Sequence, residues 1–194
     1  MAILVHTDPS SGELEFSSVR GAQSKKRHHN SLSNLFRFNK KKERMRTFKS
    51  WDSRLISFLE STTRDEAIDA LIELLEKEGK LPDKASFRQA IFDRERIVST
   101  GIGMGVAVPH AKLKDLPDFF IAIGIQKKTG IDWNALDTSP VRIIFMIGGP
   151  DDKQSEYLQI LSQLTSVIKN VELRKALLKA SFPEQVLDLF SREI

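Results

Sequence analysis

From Trp51 onwards, the spacing of apolar and polar residues predicts helices around a buried sheet. Thr63-x-x-Glu66 forms a capping-box motif that predicts the start of a helix, and Gly79 predicts its end. Asp83 predicts the cap of a second helix. Apolar residues at helical spacing give each helix one buried face: Ala67, Ile68, Leu71, Ile72 and Leu75 in the first, and Phe87, Ala90 and Ile91 in the second.

Two uninterrupted apolar runs, Phe119–Gln126 and Val141–Gly148, predict strands that are covered on both faces. Arg54–Leu59 predicts an edge strand or a lead-in to the domain. Val106–Val108 predicts a short buried strand, which Pro109 stops because proline has no N–H to donate to a neighbouring strand.

The last third of the chain returns to helical spacing. Asn170 predicts the cap of one helix, and Ser181-x-Pro183-Glu184 predicts a capping box and an early proline at the start of the last one. Helices, then buried strands, then helices indicate an α/β fold with helices on both faces of the sheet. The apolar positions at helical spacing are Leu158, Leu161, Leu164, Thr165 and Ile168, followed by Leu173, Ala176 and Leu177.

Residues 1–50 show no sustained period and are rich in Ser, Asn, Lys and Arg, so we expect a basic, disordered N-terminal extension, with a short helix possible over Leu32–Phe48. These residues hold 11 Lys and Arg against 4 Asp and Glu, a net charge of +7, whereas residues 51–194 carry −3. The basic character therefore belongs to the extension. A solvated tail and a patch that touches an acidic membrane or nucleic acid are the alternatives for it.

The composition excludes several classes of protein. Hydrophobic residues make up 40% of the chain and charged residues 29%, which is sufficient for a packed core. The sequence has no cysteine, which excludes a disulfide scaffold, a thiolate zinc site, an iron–sulfur cluster and a cysteine nucleophile. No apolar run is long enough to span a bilayer and the start lacks a signal-peptide pattern, so we expect a cytoplasmic protein without stable membrane insertion.

His110 is the one histidine outside the extension, and the pattern places it after a strand and a proline, where α/β proteins position functional sites. A neutral imidazole can act as a nucleophile, and a guanidinium and glycine-rich backbone can bind a phosphoryl group. A structural histidine and a solvated arginine are the alternatives, and one histidine does not make a metal site. The residues of these and related types that lie within sixteen positions before His110 are Arg94, Arg96, Ser99, Thr100, Gly101, Gly103 and Gly105.

Taken together, RERIVSTGIGMGVAVPHAKL (residues 94–113) closely resembles the phosphohistidine motif of the mannitol/fructose-type enzyme IIA domains of the bacterial phosphotransferase system. It is most similar to the nitrogen-related branch, whose motif runs RE–STGIG–GIA–PHGKL. The resemblance covers about residues 51–194, and DDKQSEYLQILSQLTSVI is similar to the late helix of that family. Residues 1–50 have no counterpart in the minimal domain.

The resemblance implies a mixed sheet of about five strands between helices. It implies that His110 accepts a phosphoryl group from a phosphohistidine carrier of the HPr/NPr type, and that Arg94 binds the phosphoryl oxygens. No cofactor and no metal are needed, because donor and product are both phosphoramidates. Gly103 and Gly105 are expected to allow close backbone approach, and Ser99 and Thr100 are expected to donate hydrogen bonds or to cap turns.

The sequence departs from the family pattern at two positions. Tyr157, followed by Leu158, stands where the family usually has a second histidine, and Ala111 stands where glycine is common. A tyrosine can donate a hydrogen bond to a phosphoryl oxygen but carries no positive charge at neutral pH. Onward transfer to a sugar-linked partner is therefore the step that this departure affects.

These observations favour a phosphotransferase with a regulatory output, in nitrogen regulation or a related process, acting on an unidentified target. The alternatives are a sugar-uptake IIA component that passes phosphate to a separate IIB domain, and a non-catalytic binding module of the same fold. The presence of both Arg94 and His110 argues against the non-catalytic module.

Overall fold

The computed structural model describes residues 51–192. The predicted disordered extension over residues 1–50, with its possible helix over Leu32–Phe48, lies outside the described residues. Every helix within residues 51–192 is too short or too polar to cross a membrane.

The centre of the fold is a mixed sheet of six strands. The strands are Ile56–Leu59 (β1), Gly101–Gly103 (β2), Val106–Ala107 (β3), His110–Lys112 (β4), Phe120–Gln126 (β5) and Ile143–Gly149 (β6). Their order in the sheet is β1-β5-β6-β3-β2, with β4 also paired to β6. Strands β5 and β6 are antiparallel, while β1 runs parallel to β5, and β3 and β4 both run parallel to β6.

Helices cover both faces of this sheet, which confirms the predicted α/β sandwich. One face packs against Arg64–Lys77 (α1) and Lys84–Ile97 (α2). The other packs against Gln154–Lys169 (α3), Val171–Lys179 (α4) and Pro183–Arg192 (α5). Every residue of β5 and β6 is buried, as their uninterrupted apolar sequences predict.

The predicted helix ends on the first face are confirmed by their hydrogen bonds. Thr63 and Glu66 form the complete capping box at the start of α1, and Gly79 follows its end with a φ of +65°. The side chain of Asp83 accepts from the Ser86 N–H at the start of α2. Local signals therefore specify these ends, because the bonds that make them span only a few residues.

The segment around Pro109 differs from the prediction. Strand β3 stops before the proline, but the Pro109 carbonyl still accepts from the Ile147 N–H, and the chain resumes its pairing with β6 as strand β4. His110 therefore follows a strand and a proline, as predicted, and it is also the first residue of a further strand that was not predicted. The proline removes only its own N–H from the ladder, so pairing continues on either side of it.

Two helical predictions also need correction. In α3 the buried face contains Tyr157 and Ile160, whereas Leu158 is 54% exposed, so the predicted apolar face is rotated. Helix α5 begins at Pro183, and the backbone N–H of Ser181 donates to the side chain of Gln185 instead of Glu184. In both places several residues offer similar local patterns, and the packing of the whole domain selects among them.

Candidate active site

The His110 side chain lies on the face of the sheet covered by α3, and two contacts define its protonation. Its Nδ1 lies 2.9 Å from the Val108 carbonyl oxygen, which can only accept a hydrogen bond. Its Nε2 accepts from the Arg94 Nε–H at 3.1 Å, and a guanidinium can only donate. These partners assign the proton to Nδ1 and leave the lone pair on Nε2, which is the arrangement a histidine nucleophile requires.

Burial lowers the pKa of His110 below its ordinary value, and the positive charges of Arg94 and Lys112 lower it further. The hydrogen bond to Val108 and the negative charge of Glu95 act in the opposite direction, without reversing the shift. The imidazole is therefore neutral at neutral pH, so that Nε2 keeps its lone pair under physiological conditions.

Arg94 is held at both sides of its guanidinium. It belongs to the last turn of α2, where backbone carbonyls lack partners within the helix, and its Nη1 donates to the Val98 carbonyl at 2.8 Å. Its Nε donates to His110 from the same rigid plane. The structure thus brings the predicted pair Arg94 and His110 into direct contact, with the positive charge at the reactive nitrogen.

Tyr157 lies beside His110, with 5.8 Å between the ring centroids. Its ring stacks on that of Phe119 with 6.2 Å between the centroids, and the residue is 6% exposed. Burial raises the pKa of the phenol, so it keeps its proton. Its hydroxyl is buried and makes no hydrogen bond within the part of the chain that the structure describes, which leaves an unpartnered donor on a ring close to the imidazole.

Lys112 adds a second cation to the site. It follows His110 by two residues in β4, so both side chains project from the same face of the strand. Its Nζ lies 5.1 Å from the centroid of the Tyr157 ring and donates to Gln154 Oε1 at 2.5 Å. The positive charge that Tyr157 cannot carry is therefore available from a neighbouring lysine.

Ser99 and Thr100 lie at the site, but their hydroxyl protons are already engaged. The Ser99 hydroxyl donates to the Trp133 carbonyl at 2.5 Å and accepts from the Gly101 N–H at 3.1 Å. The Thr100 hydroxyl donates to Glu95 Oε2 at 2.6 Å. These contacts support the alternative in which the two residues hold the turn that leads into β2.

Gly103 and Gly105 form the tip of the hairpin between β2 and β3. Their φ angles are +86° for Gly103 and +73° for Gly105, and Met104 between them has a φ of +58°. Asp137 accepts from the Met104 N–H at 2.8 Å, and a Cβ at Gly103 would lie 2.8 Å from the same carboxylate. The hydrogen bond from the Met104 N–H lowers the pKa of the Asp137 carboxyl below its ordinary value. Within residues 51–192 the glycines thus shape a turn, and neither of them lines the cleft beside His110.

A cleft of about 220 Å³ opens beside His110, between the start of β2 and helix α3. Its lining combines polar and aliphatic side chains, and residues near lining or site residues in the sequence include exposed apolar ones. Ile97 is 79% exposed, Val98 56% and Leu158 54%. The lining residues are Arg94, Ser99, Thr100, Ile102, Val108, His110, Leu161, Leu164, Thr165 and Ile168.

Sequence reasoning did not identify three groups that the structure places at this site: the Glu95 carboxylate, the Val108 carbonyl and the Lys112 ammonium. The available signals for Lys112 were its spacing of two from His110 and its match to the lysine of the PHGKL motif. Glu95 follows Arg94 directly in a helix, where a glutamate is usually solvated, so its burial could not be read from the sequence.

Comparison with known proteins gives matches to one protein family. Residues 49–193 match the family model of the phosphoenolpyruvate-dependent sugar phosphotransferase system, EIIA 2. A fructose-specific EIIABC component of Bacillus subtilis is 36% identical over 69% of this chain, and the match spans 21% of that longer protein. A fructose-specific EIIA component of Haloferax volcanii is 32% identical over 68% of this chain and 85% of its own length. A nitrogen regulatory protein of Escherichia coli is 30% identical over 66% of this chain and 78% of its own length.

The fold is also that of solved structures. The nitrogen regulatory protein IIA-Ntr of Neisseria meningitidis superposes with a TM-score of 0.65 at 28% identity, over 71% of this chain and 92% of that one. The mannitol IIA of Escherichia coli shares the fold with a TM-score of 0.61 at 23% identity, over 71% of this chain and 96% of that one. The chain belongs to the EIIA type 2 family of the phosphoenolpyruvate-dependent sugar phosphotransferase system.

Proposed function

We propose that this protein accepts a phosphoryl group on His110 from a phosphohistidine carrier of the HPr/NPr type. The observation that carries the proposal is the contact of Arg94 Nε with His110 Nε2 at 3.1 Å, on an imidazole whose Nδ1 proton is bound by the Val108 carbonyl. This geometry combines a fixed tautomer, a lone pair on Nε2 and a cation beside the attacking atom.

The step is an in-line displacement at phosphorus. The Nε2 lone pair of His110 forms a bond to phosphorus, the bond from phosphorus to the carrier nitrogen breaks, and its electron pair returns to that nitrogen. The ring of His110 keeps its Nδ1 proton and takes up the positive charge that the carrier ring gives up. Arg94 donates to the phosphoryl oxygens, and Lys112 lies close enough to lower the cost of their charge.

The Tyr157 hydroxyl has a role in this proposal as a donor to a phosphoryl oxygen. It is buried beside His110 and has no partner among the described residues in the unphosphorylated protein. The exposed apolar side chains of Ile97, Val98 and Leu158, which lie near site residues in the sequence, are candidates for the surface on which the carrier docks. Ser99 and Thr100, with Gly103 and Gly105 behind them, support this face through the turns that they form.

We propose a regulatory output for the phosphorylated protein. Phosphorylation adds about −1.5 to −2 charges at neutral pH, enough to change the affinity of a charged partner for this face. Nitrogen regulatory proteins are among the relatives. The expected location is the cytoplasm, where the carrier proteins of the system act.

A second function, transfer onward to a IIB domain for sugar uptake, has its own support. Two relatives at 36% and 32% identity are fructose-specific components. One structural neighbour is a complex of enzyme IIAMTL with phosphorylated enzyme IIBMTL. Lys112 can provide the cation that the family usually places at position 157. A third possibility, a non-catalytic module, conflicts with the retained contact of Arg94 and His110.

The test is the intact mass of the full chain after incubation with phosphoenolpyruvate, enzyme I and HPr, beside a His110→Ala control. We expect an acid-labile gain of one phosphoryl group that the control lacks. No gain, in a mixture that phosphorylates a known IIA protein, would contradict the proposal for an HPr-type donor. Loss of the label on adding a IIB domain with its permease and sugar would favour the sugar-uptake function over the regulatory one.

A further inference from the structure

Glu95 is a buried acid whose two carboxylate oxygens both bind one residue. It is 4% exposed and lies in the last turn of α2. Its Oε1 accepts from the Thr100 N–H at 3.0 Å, and its Oε2 accepts from the Thr100 hydroxyl at 2.6 Å. The Trp133 Nε1–H donates to the same hydroxyl at 3.3 Å, so the threonine side chain is fixed from two sides.

Backbone hydrogen bonds connect this pair to the reactive histidine. The Thr100 carbonyl accepts from the Val108 N–H at 3.0 Å. The Val108 carbonyl, across the same residue, accepts from the His110 Nδ1–H at 2.9 Å. Glu95 thus holds Thr100, Thr100 holds the N–H of Val108, and the carbonyl of Val108 helps to set which ring nitrogen of His110 carries the proton.

We propose that Glu95 is a positioning residue for phosphoryl acceptance, because it fixes the tautomer of His110 through Thr100 and Val108 and balances the charge that the ring acquires. This inference rests on the proposed function and deepens it, since it assigns a role to a group that does not touch the phosphoryl group itself.

The charges that face His110 support the second part of this role. Arg94 from α2 and Lys112 from β4 are cations, and Tyr157 from α3 is neutral. Glu95 is the acid among the groups that act on the imidazole, and its charge raises the pKa of His110. When Nε2 binds phosphorus and Nδ1 keeps its proton, the ring becomes cationic, and a buried carboxylate stabilises that cation.

A purely structural role makes a different prediction. Holding the turn at Thr100 needs only acceptors and donors of the right shape, and burying a carboxylate for that purpose is costly. Glutamine has the same shape as glutamate, and its amide can accept from the Thr100 N–H and donate to the hydroxyl oxygen. Glu95→Gln therefore preserves the turn while it removes the charge, and Thr100→Val removes one of the two bonds while it leaves the charge.

The experiment compares full-length Glu95→Gln, Thr100→Val and the conservative Thr100→Ser with Asp93→Asn, a matched acid-to-amide change at an exposed position of the same helix. Two readouts are used: the single-turnover rate of phosphorylation by phospho-HPr, and the tautomer and titration of His110 by ¹⁵N NMR, assigned with His110→Ala.

We expect Glu95→Gln to slow phosphorylation by about 10–100-fold, the range found for groups that orient metal-binding histidines, and to lower the pKa of His110. Thr100→Val should reduce the population of the Nδ1–H tautomer, and Thr100→Ser and Asp93→Asn should match the wild type. A folded Glu95→Gln protein with wild-type rate and titration would overturn the inference, as would a wild-type tautomer in Thr100→Val.

The two readouts separate this inference from the proposed function. If the wild-type chain is not phosphorylated at all, the proposed donor is wrong, while the NMR comparison of tautomer and titration still decides the role of Glu95. If Glu95→Gln does not fold, as judged from the loss of dispersion in its NMR spectrum, the comparison of Thr100→Val with Thr100→Ser decides it.

Discussion

Replacing Tyr157 by phenylalanine removes one heavy atom, the buried hydroxyl oxygen that has no hydrogen-bond partner within residues 51–192. The stacking of the ring on Phe119 and its contact with the Lys112 ammonium are kept, because both involve the ring. An unsatisfied buried hydroxyl costs about 1–3 kcal/mol. We therefore expect Tyr157→Phe to raise the free energy of unfolding of the unphosphorylated protein by about 1 kcal/mol or more.

The same change should have the opposite effect on the phosphorylated protein. If the Tyr157 hydroxyl donates to a phosphoryl oxygen, a hydrogen bond to a charged group worth about 1.5–3 kcal/mol is lost. The phosphoryl-transfer equilibrium with HPr should then shift towards the carrier by roughly 10–150-fold. A single hydroxyl thus destabilises one form of the protein and stabilises the other.

The assay measures both forms of wild type and Tyr157→Phe. Thermal unfolding of the unphosphorylated proteins should show a higher Tm for the variant, by about 2–4 °C for each kcal/mol in a chain of this size. The equilibrium between phospho-HPr and each protein is read from intact masses. A variant with a lower Tm and an unchanged equilibrium would refute the reasoning, because the hydroxyl would then have a partner in the resting protein.

Three further predictions follow from the site and from the charge distribution. Arg94→Gln should slow phosphorylation by about 10²–10³-fold in a single-turnover assay. Arg96→Gln should have little effect, because the Arg96 side chain binds Asp93 at the surface. Equal rates for the wild type and both variants would contradict the role of Arg94. The pKa of His110 should lie below 6.5, so that its NMR titration shows a neutral ring at pH 7; a midpoint above 6.5 would contradict the effect of burial. Deleting residues 1–46 should leave phosphorylation by HPr unchanged and weaken binding to anionic vesicles at low salt; unchanged vesicle binding would exclude an acidic membrane as the partner of the extension.

The parts of the fold that the sequence predicts are those in which a few neighbouring residues decide the structure. The capping box of Thr63 and Glu66 is an example, because its bonds span three residues. The continuous apolar sequences of β5 and β6 are another, because a strand buried on both faces needs apolar side chains at every position.

Short strands and the choice of a buried helix face were not predictable in the same way. Strands β2 and β4 have three residues each and exist because of their pairing with β3 and β6. In α3, Leu158 and Tyr157 both fit an apolar stripe, and the domain buries the tyrosine against Phe119 and His110. Such choices depend on partners that are distant along the chain.

The site likewise contains residues that the sequence identified and a residue that it did not. Composition and position single out His110 as the histidine of the folded part, while its pairing with Arg94 came from the resemblance of residues 94–113 to a known motif. The structure places their side chains in contact. Glu95 escaped notice because its proposed role depends on burial and on the contact with Thr100, and neither property is visible in a linear sequence.

The most direct test of the central proposal is the position of the phosphoryl group on the protein labelled by phospho-HPr. Heteronuclear ³¹P and ¹⁵N NMR of the ¹⁵N-labelled chain distinguishes the two imidazole nitrogens, and His110→Ala identifies the residue. Because Nδ1 holds the proton that the Val108 carbonyl accepts, we expect the phosphoryl group on Nε2 of His110. A phosphoryl group on Nδ1, or on any other residue, would contradict the proposed function.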